Sequence, residues 1–221
     1  GRIGSVLIGG SVTAGTDQSS SGNLTNNASI RADDDIGAIT IKGGLIGNEN
    51  TGGITYPTIS ARGQETLGIG ATSDLAIQSV TIGGRVEFAR VLAGFGTNDP
   101  TNNGSNGNAS IGAVKVGGDW SASSISAGVE DVDADGFGDS DDGVINTPSG
   151  AATDALVARI ASITIHGIVI GAPNPFFQTA FTAQQIGSFK AGAYTAPLTA
   201  GTDAPIFVTP YTANVTLREL P

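Results

Sequence analysis

The sequence predicts an all-β fold, a parallel β-solenoid (β-helix) of about six coils. Three observations predict it. One short unit recurs six times along the 221 residues, the same residue classes fall in the same columns of every copy, and the period inside the unit is two. The copies read IGSVLIGG from Ile3, IGAITIKGG from Ile36, IQSVTIGG from Ile77, IGAVKVGG from Ile111, IASITIHG from Ile160 and IGSFKAGA from Ile186. Their spacing varies from 26 residues (Ile160 to Ile186) to 49 (Ile111 to Ile160), so the unit is repeated while its connections are not.

Each column has a physical meaning. The first position is Ile in all six copies, and three residues later stand Val6, Ile39, Val80, Val114, Ile163 and Phe189. Two residues further on come Ile8, Ile41, Ile82, Val116, Ile165 and Ala191. Between those two columns lies a mostly polar one, Leu7, Thr40, Thr81, Lys115, Thr164 and Lys190, which is the alternation of a strand with one buried face. A small residue follows at a corner (Gly10, Gly43, Gly84, Gly118, Gly167 or Ala193). An inward position resumes beyond it, at Val12, Leu45, Val86, Trp120, Val169 and Thr195. Identical apolar columns are what stacked strands produce, each side chain resting on its counterpart one coil below. At about 4.8 Å per strand, six coils make a body roughly 25–30 Å long.

Polar loops absorb the uneven spacing: 16–27, 97–108 and, longest, an acidic insertion at 130–150. The solenoid is therefore assigned to 1–202, and 203–221 to a closing cap strand or a linker, with an alternating run from Ala213 to Leu217. A β-sandwich is the alternative, since short alternating strands also build one. Its strands, however, occupy different environments and have little reason to repeat the same columns six times.

Composition narrows the function. Ten Lys and Arg against twenty Asp and Glu give a net charge of −10 and a pI near 4.3, which repels phosphate backbones and excludes nucleic acid as a partner. With no Cys there is no disulfide, thiolate nucleophile or Cys-ligated zinc. The longest uncharged stretch, Gly167 to Phe189, is broken by Pro173 and Pro175, so no helical membrane insertion is expected. A start of Gly1-Arg2-Ile3 reads as a mature product or a fragment of something longer.

The units from Ile3 to Thr195 resemble the Gly-rich β-helical repeats of large bacterial cell-surface and autotransporter-like proteins. The resemblance implies a right-handed parallel β-helix acting as a coat, stalk, fibre or adhesin segment, extracellular or at the cell surface. It also implies partners of the same setting: end-to-end self-association, other surface proteins, or glycans.

The sharpest local signal is Asp131-Val132-Asp133-Ala134-Asp135-Gly136-Phe137-Gly138-Asp139-Ser140-Asp141-Asp142. Carboxylates at positions 1, 3, 5, 9 and 12, a Gly at 6 and a backbone carbonyl at 7 suit calcium, a hard cation that takes six to eight oxygens. The expected ligands are Asp131, Asp133, Asp135, the Phe137 carbonyl, Asp139 and Asp142. The pattern resembles thrombospondin type 3 and dockerin calcium loops, and it departs from an EF-hand in ending on Asp142 instead of Glu and in lacking flanking helices. Seven of the twenty acids fall between Glu130 and Asp142, and such crowding disfavours an ordered loop unless a cation neutralises it. A solvated acidic turn is the plainer alternative, and it is the preferred one for Asp33-Asp34-Asp35.

The single histidine, His166, sits at a corner and is read as structural; Trp120 falls in an inward column and is read as core. The arginines form no continuous repeat column, so a polysaccharide lyase or hydrolase rests on fold analogy alone. The expected function is a non-catalytic, extracellular, calcium-stabilised structural segment. A glycan-binding module is the alternative, with Tyr56, Phe95, Tyr194 and Tyr211 as candidate platform aromatics.

Overall fold

The computed structural model describes residues 1–15, 28–50, 53–68, 70–146, 156–172, 179–204, 206–207 and 214–221. Among these residues the chain is all-β, without a helix, and its three large sheets are mainly parallel. The 16–27 loop and Tyr211 lie outside the described residues.

The columns of the sequence are registers of the structure. The first sheet takes the repeat strands Ile3–Ile8, Ile36–Ile41, Asp74–Ile82, Ala109–Val116, Arg159–Ile165 and Phe189–Ala191 in chain order. Ile3 pairs with Ile36, Ile36 with Ile77, Ile77 with Ile111 and Ile111 with Ile160; Val6, Ile39, Val80, Val114, Ile163 and Phe189 form the next row. In the second sheet Val12, Leu45, Val86, Trp120 and Val169 stand in one row. Equal residues meet because a one-residue slip would turn every Ile from the core to solvent.

A third parallel sheet, which the sequence reading did not separate, follows in each repeat: Ile30–Ala32, Thr58–Ala61, Arg90–Ala93, Ser124–Ala127, Thr179–Ala183 and Val215–Glu219. Its rows are Ile30, Ile59, Val91, Ile125, Phe181, Leu217 and then Ala32, Ala61, Ala93, Ala127, Ala183, Glu219. The strand near the end of the tail, Val215–Glu219, thus joins this sheet in register.

One buried cluster draws side chains from all three sheets, including Ile39, Val80, Leu45, Trp120, Ile125 and Phe181, each at most 1% exposed. Inside it the rings step from sheet to sheet. Trp120 meets Phe181 with centroids 5.5 Å apart, and Phe181 meets Phe189 at 4.8 Å. The Trp120 indole N–H donates to the Ser123 carbonyl at 2.9 Å, so the large residue leaves no polar atom unsatisfied.

The outer side of the third sheet is also covered. Ser60, Leu92, Ser126 and Thr182 alternate away from the main cluster yet are at most 2% exposed, because the segments after Ala93 and Ala127 fold back over them. There Leu92, Phe95, Val129, Phe137, Ile145, Ala180 and Leu220 make a second, smaller core. This second core holds the acidic insertion.

Candidate metal centre

The insertion leaves the third sheet after Ala127 and closes on itself through a short antiparallel pair, Val129 opposite Val144 and Glu130 opposite Gly143. Between those strands run the twelve residues from Asp131 to Asp142. An acidic, Gly-rich stretch would ordinarily float in solvent. Here Phe137, at its centre, is 0% exposed and meets the Phe95 ring edge-on, with centroids 6.4 Å apart and planes at 84°. The Asp131 N–H donates to the Thr101 carbonyl at 3.1 Å and Glu130 accepts from the Gly104 N–H at 3.2 Å, stitching the insertion to the neighbouring loop.

The backbone turns that gather the carboxylates follow from the sequence. Gly136 has φ 121° and Gly138 φ 116°, both open to glycine and strained for other residues, and Ala134 takes φ 66°. Asp131 accepts from the Gly136 N–H at 3.1 Å and Asp133 from the Asp135 N–H at 3.4 Å, folding the chain around the acid cluster.

Of the six expected ligands, Asp131, Asp133 and Asp135 come together, each offering a carboxylate oxygen within 4.8 Å of the others'. Two ligands on one calcium at about 2.4 Å cannot be more than about 4.8 Å apart, so this grouping meets the geometric requirement. Asp139 lies in a second group, with Asp133 and Asp141. Asp141 was not among the expected ligands, and nothing in the D-x-D-x-D-G spacing marks it. Asp142 belongs to neither group; one of its oxygens accepts from the Gly138 N–H. Phe137 was expected for its carbonyl, and the structure gives its side chain a second role as the anchor.

Two atoms point to an unmet need. Asp131 and Asp142 are 1% and 7% exposed, and Oδ2 of the first and Oδ1 of the second are buried with no hydrogen-bond partner. A buried carboxylate oxygen without a donor is costly unless a cation or a proton neutralises it. The titration behaviour agrees. Burial pushes the Asp142 carboxyl up to about 7, the Asp131 charge adding to the effect. Burial, with hydrogen bonds from Asp141 and Asp135, pushes Asp139 up to about 8, while the bond to Asp139 holds Asp141 below the usual range. Arg218 is a nearby cation, its guanidinium 3.5 Å from the Ser140 carbonyl. One cation does not balance seven acids.

A pH dependence follows. Without metal, Asp139 and Asp142 bind protons more tightly folded than unfolded, so their stabilisation is complete below the ordinary carboxylate value near 4 and is lost as pH rises through about 7 to 8. Thermal melts in chelator should therefore show Tm falling between about pH 5 and pH 9, with excess calcium flattening the fall. A Tm in chelator that rises over this range contradicts the assignment.

The other candidates are placed differently. Asp33 and Asp35 serve local structure: Asp33 accepts from the Thr97 N–H at 2.7 Å, and Asp35 pairs with Arg2 at 3.3 Å and accepts from Gln64 at 3.0 Å. Asp35 lines a cavity of about 320 Å³ with Arg2, Gln64, Ser73 and Gln78. His166 is an exposed corner residue. Of the platform aromatics, Phe95 is 0% exposed, Tyr56 lies under the Arg90 guanidinium at 4.0 Å, and Tyr194 packs half-buried on Phe189 at 6.4 Å. No helix among the described residues is long and apolar enough to cross a membrane.

Comparison with protein-family models, with curated proteins and with solved structures gives no match to this chain.

Proposed function

We propose that the three parallel sheets close on one another as a right-handed parallel β-helix of six coils, and that this body is a non-catalytic structural segment working outside the cell. In this reading calcium neutralises the 131–142 loop and pins it to the third sheet. The coil contributes length and stiffness to a coat, stalk, fibre or adhesin; the pinned insertion, with the loop after Ala93, covers the outer side of the third sheet.

The observation that carries the calcium reading is the pair of buried, unpartnered oxygens on Asp131 and Asp142, beside the Asp131, Asp133, Asp135 trio. Asp131, Asp133 and Asp135 would hold the ion as the loop stands, and the Phe137 carbonyl, Asp139 and Asp142 would join them only as the loop closes on it; the ion would supply charge neutralisation and a fixed centre for the turns. A shorter Asp at the last position, in place of a bidentate Glu, favours the weaker affinity of extracellular calcium modules, about 10⁻⁴–10⁻³ M, over that of cytosolic buffers. The net charge of −10 suits a solvated exterior, and the arginines line no continuous row, Arg31 and Arg218 standing at opposite ends of one row of the third sheet, which supports a scaffold over a lyase.

Calorimetric titration of the chelated chain with calcium tests this. One ion per chain is expected, with binding abolished by Asp131→Asn plus Asp142→Asn. Absence of binding at millimolar calcium overturns the reading.

A further inference from the structure

We infer that the end of the stack at Ile3–Ile8 is a docking edge for one further coil of the same repeat, running parallel to that strand. The inference rests on the β-helix reading above and adds a partner to it.

The two ends of the stack are unlike. At the far end the first sheet is closed by Tyr194–Thr195, antiparallel to Phe189–Ala191, and the third by Ile206–Phe207, antiparallel to Val215–Glu219. Tyr194, Leu198 and Ile206 pack on the core there. Glu219 ends a row that is Ala in the five earlier strands, and its carboxylate accepts from the Ile186 and Asp203 N–H groups, the latter at 2.7 Å. Such an end stops further parallel pairing.

At the near end, among the described residues, all three sheets finish on an unpaired first strand. Ile3, Val6, Ile8 and Val12 are only partly buried, whereas their register partners Ile36, Ile39, Ile41 and Leu45 are at most 1% exposed. The apolar rows therefore run out to the edge without a cap.

Glycines show what covers such an edge elsewhere. A Cβ on Gly37 would overlap the Gly4 carbonyl, on Gly83 the Lys42 carbonyl, on Gly112 the Gln78 carbonyl and on Gly117 the Gly83 carbonyl. In each case the glycine admits the backbone of the preceding coil. Gly4 and Gly9 occupy the same repeat positions in the first coil, and a Cβ on either meets nothing within 4 Å. The first coil thus carries, on its open side, the apolar rows of the other coils and the same clearance with which Gly37, Gly83, Gly112 and Gly117 receive the coil before them. A second copy of this chain presents antiparallel strands at its far end in the first and third sheets, so it lacks the parallel edge that these rows fit.

The test joins a copy of residues 77–110 directly ahead of Ile3, which keeps the 34-residue spacing found between Ile77 and Ile111. Hydrogen exchange of the Ile3–Ile8 amides should slow by about tenfold or more, and Tm should rise by a few degrees. Gly4→Ala, neutral in the 221-residue chain, should become destabilising in the extended one, as Gly37→Ala is in both. Unchanged exchange at Ile3–Ile8, or a Gly4→Ala that stays neutral, overturns the inference. So does a concentration-dependent dimer of the unextended chain that protects Ile3–Ile8, since a second copy would then be the occupant. If the inner strands Ile36–Ile41 and Ala109–Val116 also exchange freely, the β-helix reading falls together with it; if they are protected, only the docking edge falls.

Discussion

Phe181→Ala should cost about 3–5 kcal/mol of unfolding free energy, the range for removing a fully buried aromatic side chain. Phe181 is 0% exposed and its ring lies between Trp120 of the second sheet and Phe189 of the first, at 5.5 and 4.8 Å. Truncation therefore opens a void where three sheets meet, and each sheet is held by its register with the strands on either side. The backbone cannot collapse into the gap without breaking rows that span several repeats, so little of the cavity cost is relieved. At about 2–4 °C per kcal/mol for a chain of this size, Tm should fall by roughly 6–20 °C. Leu7→Ala, in the same repeat pattern but 71% exposed, should change stability by less than about 0.5 kcal/mol. Urea denaturation of both variants checks the contrast. A loss below about 1 kcal/mol for Phe181→Ala would mean that the rings do not share one core.

Calcium should raise the unfolding free energy by about 2.7 kcal/mol at a free concentration 100 times its dissociation constant, and by about 4.1 at 1,000 times, because the ion binds the folded loop and not the unfolded chain. The double variant Asp131→Asn with Asp142→Asn should abolish this gain. In chelator the same variant should be more stable than the parent near neutral pH, since it removes the negative charge from two buried carboxyls that each hold an oxygen without a partner. That inversion separates a metal site from a hydrogen-bonded turn, in which both substitutions would cost stability under all conditions. Phe137→Ala should weaken the calcium gain while leaving every carboxylate in place, because the ring holds the loop against Phe95. Melts of the three proteins in calcium and in chelator decide it. Equal midpoints for the parent with and without calcium would reduce the loop to an acidic surface turn.

The first two sheets were legible in the sequence because their strands lie within one short unit: Val80, Ile82 and Val86 are fixed in spacing, and the equivalent residues repeat in the first five copies, while in the sixth Thr195, expected inward, is exposed and turns back to pair antiparallel with Lys190 in the first sheet. The third sheet was not. Val86 to Val91 and Trp120 to Ile125 are five residues apart, but Leu45 to Ile59 spans 14 and Val12 to Ile30 spans 18, because insertions fall between the second and third strands there. Uneven connections erase a column even when the pairing beyond them is regular, and only the recurrent apolar-x-Ala triplet marks it. In the loop, ligand spacing revealed the Asp131, Asp133, Asp135 trio because local turns alone bring those residues together. Burial of Phe137 depends on Phe95, a residue 42 positions away, and no local pattern predicts it.

Paired cysteines in the polar outward column test the stacking of coils most directly, since the chain has no Cys of its own. Thr40 stands in register with Thr81, Thr81 with Lys115, and Lys115 with Thr164. Neighbouring parallel strands lie about 4.8 Å apart, within disulfide reach, and strands two coils apart do not. Mild oxidation should close Thr40→Cys with Thr81→Cys and Lys115→Cys with Thr164→Cys, and leave Thr40→Cys with Lys115→Cys reduced. Failure of the adjacent pairs to close, or closure of the two-coil pair, would contradict an in-register stack of parallel coils.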